Sequence, residues 1–117
     1  MTRFVDVAGI DDLADGGMKR VTVEGRDLLV ACVGGQWYAA DDRCPHMGGQ
    51  LSHGKLGGTI VTCPRHGSQF DLANGSVVRW TNWTGITLAL AKVFKSPRPV
   101  KVYGVQSEGS RVLVDLE

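Results

Sequence analysis

Apolar and polar residues alternate in short runs along most of the chain, and glycine-rich turns separate the runs. Alternation with a period of two buries one side of a strand and leaves the other wet. The pattern predicts strands at Phe4–Ala8, Lys19–Val23, Leu28–Val33, Trp37–Ala40, Thr59–Cys63, Gln69–Leu72, Ser76–Arg79, Val100–Gln106 and Val112–Leu116. An all-β fold with antiparallel sheets is the expectation. Gly34-Gly35 and Asn74-Gly75 read as two-residue hairpin turns, because both central positions of such turns need positive φ. Ile10–Gly16 reads as one short helical turn ended by its glycine.

Residues 84–95 break the alternation. Ile86, Ala89, Leu90, Val93 and Phe94 recur at helical spacing, which predicts a helix over 85–94 with a stripe facing inward. Thr84 suits its N-cap, and Lys95 suits the negative end of its dipole. Ser96-Pro97-Arg98-Pro99 stops it. Such a helix either fills space beside a sheet or docks a partner.

With 117 residues, the chain is expected to form a single domain over 1–117. Its formal net charge is +1, with no run of one sign. That argues against nucleic acid as a partner and against strong electrostatic steering. Three cysteines give no disulfide framework, so a reducing, cytoplasmic setting is expected. Met1–Asp6 lacks the apolar core of a signal peptide, and the apolar runs near 28–33 and 86–94 are too short to span a bilayer. No membrane anchor is expected. Cys32, inside Leu28–Val33, reads as a small buried thiol.

The other two cysteines fall in paired motifs, Cys44-Pro45-His46 and Cys63-Pro64-Arg65-His66. Each pair joins a soft anionic thiolate to a neutral imidazole, which suits a metal group with two unlike halves. Glycines follow both pairs, at Gly48-Gly49 and at Gly67, where backbone amides can come close to a bound group. His53 reads as a solvated loop histidine, Met47 as a packing residue, and Trp37, Trp80 and Trp83 as core or rim aromatics.

The segment from Cys44 to Gly75 resembles the Rieske-type [2Fe–2S] ferredoxins, in the soluble, low-potential branch. The resemblance implies one cluster per chain, with Cys44 and Cys63 on the inner iron and His46 and His66 on the outer. It also implies a cluster-binding subdomain over about 43–75 inserted between antiparallel sheets. The resemblance further implies a Pro-rich loop covering the cluster, for which Ser96-Pro97-Arg98-Pro99 is the natural candidate. Ser68, Phe70, Gly48 and Gly67 would surround the ligands. High-potential members carry one further cysteine per loop, where Gly49 and Arg65 stand here, so no such disulfide forms. They also pair a serine with a tyrosine that donates to the cluster's sulfurs; Ser68 is kept and Phe70 replaces the tyrosine. A potential toward the low end of about −150 to +300 mV is implied.

The function expected is a one-electron carrier, not itself an enzyme, between a reductase and a terminal oxygenase or other oxidoreductase. Two other readings stand beside it. One is the small subunit of a larger oxidoreductase such as nitrite reductase. The other is a zinc-stabilised interaction module, since zinc also takes two Cys and two His.

Overall fold

The computed structural model describes residues 2–45, 48–65, 67–80 and 98–117. The helix expected over 85–94, together with Trp83 and Pro97, lies outside these residues, as do His46, Met47 and His66.

Three antiparallel sheets make up the described fold. Strands β1 (Phe4–Gly9), β10 (Val105–Glu108) and β11 (Arg111–Asp115) form one, in the order β1-β11-β10. Strands β2 (Gly17–Val23), β3 (Arg26–Val33), β4 (Gln36–Asp41) and β9 (Val102–Tyr103) form the second, in that order. The third is a meander of β5 (Lys55–Gly57), β6 (Ile60–Thr62), β7 (Gln69–Asp71) and β8 (Val77–Arg79).

The second sheet is the middle layer, because its strands feed two separate cores. Leu28 of β3 and Ala39 of β4 pack with Val114, Leu116 and Tyr103 against the first sheet. Their chain neighbours Leu29 and Ala40 face the opposite way, into a core with Cys44, Leu51, Val61, Cys63, Phe70 and Trp80. This period of two explains why β3 reads as a continuous apolar run: it is covered on both faces. Fully burying a side chain such as Leu29 or Phe70 contributes about 1.5–3 kcal/mol. Tyr103 ties β9 to β4 by donating its hydroxyl to the Asp41 carboxylate at 2.5 Å. Burial, followed by that carboxylate, pushes the Tyr103 hydroxyl up to about 12.

The all-β expectation holds, with local corrections. Ile10–Gly16 forms two separate turns rather than a helical one. The Asp12 N–H donates to the Gly9 carbonyl (3.0 Å), and the Gly17 N–H to the Ala14 carbonyl (2.9 Å). The Asp12 carboxylate competes for the backbone by accepting from the Gly9 N–H at 2.9 Å. Gly34-Gly35 is the expected two-residue turn, with φ of 59° and 79°. Asn74-Gly75 is not. The Asp71 carbonyl accepts from the Gly75 N–H at 2.6 Å, and the Asp71 N–H reaches the Ser76 carbonyl, so the loop spans 72–75. The strand expected over Val100–Gln106 breaks at Gly104, where the chain leaves the second sheet for the first. Strand β5 and the 3-10 turn Leu51–His53 before it were not signalled by alternation.

Candidate metal centre

Two loops present the cysteines, and both close in the same way. In the first, an isolated bridge between Arg43 and Gln50 pins the ends. The Cys44 N–H donates to the Gly49 carbonyl, and the Gly48 N–H donates back to the Cys44 carbonyl, both at 2.8 Å. The second loop is the β6–β7 connection, whose last ladder pair is Thr62 and Gln69. The Cys63 N–H donates to the Ser68 carbonyl at 2.7 Å. Each cysteine amide therefore bonds the carbonyl five residues on. Each loop turns on a glycine four residues after its cysteine, Gly48 at φ 72° and Gly67 at φ 70°. Other residues avoid that region because Cβ meets the carbonyl, which is why glycine stands at both places.

The two loops bring Cys44 and Cys63 into one core, at 1% and 2% exposure. No disulfide joins the cysteines, and Cys32 is likewise a buried thiol. Gly49 closes the gap between the loops: a Cβ there would sit 2.8 Å from the Cys63 Sγ. Phe70 is fully buried in the same core, opposite Val61 in the ladder. The buried Ser68 hydroxyl donates to the carbonyl oxygen of Trp80. Arg79 steadies the second loop from β8, its Nε–H donating to the Gly67 carbonyl at 2.9 Å.

Behind the first loop, Asp42 is 3% exposed yet charged in kind. It accepts from the Ser52 N–H (2.7 Å) and the Ser52 hydroxyl (2.8 Å), and Arg20 Nε lies 3.7 Å away. Such pairing offsets the cost of burying a carboxylate. It also fixes where the chain leaves the loop, since the Leu51 N–H bonds the Asp42 carbonyl. This anchor had a local trace in Asp42 and Ser52, but the sequence reading missed it.

A cleft of about 420 Å³ opens beside the second loop, lined among others by His53, Lys55, Cys63, Arg65 and Arg79. His53 is exposed, as a solvated histidine should be, and it sits on the rim of this cleft.

Two thiols buried in one apolar core, with a glycine where a Cβ would meet the Cys63 sulfur, suit a group that takes two thiolates. His46 and His66 lie outside the described residues, so the site is defined here by its cysteine half.

Known proteins place the chain. Residues 3–103 match the model of the Rieske [2Fe-2S] domain. The chain is 32% identical over 114 residues to the ferredoxin component of the naphthalene 1,2-dioxygenase system of Pseudomonas aeruginosa, covering 97% of this chain and 96% of that one. A solved ferredoxin of Sphingomonas yanoikuyae B1 superposes with a TM-score of 0.77 at 28% identity, covering 98% of this chain and all of that one. A solved complex of reduced oxygenase and oxidized ferredoxin in carbazole 1,9a-dioxygenase contains a chain matching at TM-score 0.76 and 28% identity, with 96% and 92% covered. Similarity in sequence and in backbone thus runs nearly end to end, and the chain belongs to the Rieske [2Fe-2S] domain family.

Proposed function

We propose that this chain is a one-electron carrier, the ferredoxin component of an oxygenase system. It would take electrons from a reductase and deliver them to a terminal oxygenase. What carries the reading is coverage: relatives that are ferredoxin components align over nearly their whole length.

We assign one [2Fe–2S] cluster per chain, held by Cys44 and Cys63 on one iron and by His46 and His66 on the other. The two equivalent loops support the cysteine half of that set; the histidine half follows from the motifs. When bound, such a cluster stores one electron and gives it up again. The chain's own residues fix the thiols in place, exclude water from them and leave the second loop at an open cleft. In this assignment residues 43–75 are the cluster-binding unit of a single domain over 1–117, and Ser68, Phe70, Gly48 and Gly67 would surround the ligands; the same role for Pro97 rests on the resemblance, since it lies outside the described residues. A cytoplasmic setting agrees with three cysteine thiols and no disulfide. No helix among the described residues is long and apolar enough to cross a membrane.

Anaerobic metal and sulfide analysis tests the assignment. We expect two irons and two acid-labile sulfides per chain, and loss of both in Cys44→Ser. Stoichiometric zinc without sulfide would replace the carrier by a zinc-stabilised module.

A further inference from the structure

The formal net charge of +1 conceals a strong segregation. Residues 43–101 hold eight Lys and Arg against one carboxylate, Asp71, for a sum of +7. The remaining residues hold five Lys and Arg against eleven carboxylates, for −6. All three histidines also fall in the first group.

The fold turns this bias along the chain into a bias in space. The acidic groups belong to the first sheet, to the middle sheet and to their turns; the ligand loops and the β5–β8 meander carry Arg43, Lys55, Arg65 and Arg79 against Asp71. Within the meander the register is informative. Lys55 pairs with Thr62, Thr62 with Gln69, and Gln69 with Arg79. Directly opposed residues share a face, so one row crosses the sheet at the end that carries the second ligand loop. A cation stands at each edge of this row, both exposed, and both line the cleft beside Cys63 together with Arg65. Arg43 flanks the first loop, its guanidinium 3.2 Å from where a Gly48 Cβ would be.

Asp71 does not balance these charges. It lies at the far end of β7 and is turned into its own loop, accepting from the Thr59 hydroxyl (2.8 Å) and the Ala73 N–H (2.9 Å). The ion pairs of the described residues join Arg3, Lys19, Arg20 and Arg111 to carboxylates of the acidic part. Neither Lys55 nor Arg79 is in one.

Distance and screening decide which charge a partner meets. The molecule extends 51 Å along its longest axis. Packed sheets stand about 10 Å apart, and the Debye length at about 0.15 M salt is about 8 Å. A body approaching the second ligand loop therefore meets its local cations, with the acidic layers mostly screened. Building on the carrier reading, we propose that the cationic rim of Lys55, Arg65 and Arg79 around the second ligand loop is the docking surface for the redox partner, and that the partner's matching surface is acidic. The dipole turns that end toward the partner, so steering operates despite the small net charge. This reverses the expectation of weak steering drawn from net charge alone.

Oxidation of the reduced holoprotein by charged small molecules reads the sign of the charge around the ligand loops. We expect the rate with ferricyanide to fall several-fold between about 0.01 M and about 0.15 M salt, and the rate with hexaamminecobalt(III) to rise. Lys55→Glu should shrink both slopes much more than Lys19→Glu, which makes the same change in net charge within the acidic part. Poly-L-glutamate, a minimal acidic protein surface, should slow the ferricyanide reaction, and poly-L-lysine should not. Equal slopes in the two variants, or the opposite ranking of the polymers, would overturn the proposal. Retention of the full chain on a cation exchanger, weakened by Lys55→Glu more than by Lys19→Glu, checks the surface without using the cluster. Failure of the iron analysis would remove the carrier reading and leave that result standing, so the two failures are distinguishable.

Discussion

A Cβ added to Gly49 would sit 2.8 Å from the Cys63 Sγ and 3.1 Å from both Cγ and Cδ of Arg65. The Arg65 side chain can swing away; the buried sulfur cannot. Gly49→Ala should therefore push the two ligand loops apart, at the roughly 1–3 kcal/mol typical of overpacking. We expect a lower urea midpoint and fewer irons per chain. A variant with both unchanged would show that the loops are not fitted as closely as this contact implies. The ligand pairs and the turn glycines Gly48 and Gly67 were readable in the sequence because each motif is local, five residues or so from cysteine to closure. The approach of Gly49 to Cys63 and the bond from Ser68 to Trp80 were not readable, since both join residues that only folding brings together.

Among the elements, the longer strands of the first two sheets were legible and the meander less so. Strands β2, β3 and β4 run six to eight residues, enough for a period to show. Strand β5 has three, with glycine as the third, too few for any pattern. Asn74-Gly75 misled because its local chemistry serves a different turn. The Asp71 carboxylate and the Asn74 amide oxygen each accept from the backbone two residues on, at 2.9 Å, so the loop is longer than a two-residue hairpin. The glycine is nonetheless required. Gly75 has φ of 80°, and a Cβ on it would lie 2.2 Å from the Val100 carbonyl oxygen. The same glycine's own carbonyl accepts from the Val100 N–H at 3.0 Å, which moors the returning chain to the meander. Gly75→Ala should cost about 1–2 kcal/mol in left-handed strain and about 0.5–1.5 kcal/mol more in the weakened bond. Thermal melting should show a fall on the order of 10 °C, taking about 4 °C per kcal/mol for a domain of this size. A shift of a degree or less would mean that the segment at Val100 is free to move aside.

At the scale of the whole molecule, the sum of charges was legible and its distribution was overlooked, because a net count discards position. The distribution also sets the response to acid. Arg111 holds the Asp6 carboxyl below its ordinary 3.8, and Arg3 holds Glu24 below its ordinary 4.5. The Gly9 N–H does the same for Asp12, the Thr22 hydroxyl followed by Arg20 for Asp27, and the Arg3 N–H for Asp115. A carboxylate whose folded pKa is depressed stabilises the fold above its unfolded pKa. That contribution is lost as pH falls through the folded value. All five groups therefore act in one direction, and all lie outside the basic segment 43–101. Tyr103, pushed up to about 12, adds nothing near neutrality. The urea midpoint should stay level from about pH 8 to about pH 5, then decline from about pH 4 downward. These pairs are exposed, so added salt should shrink the decline. Asp6→Asn should shrink it too, by removing one of the five contributors. Far-UV dichroism measures unfolding, and visible absorbance recorded alongside separates it from loss of the cluster. A midpoint that holds between pH 5 and pH 3, with the cluster signal already gone, would show that the acidic layers do not depend on their carboxylates.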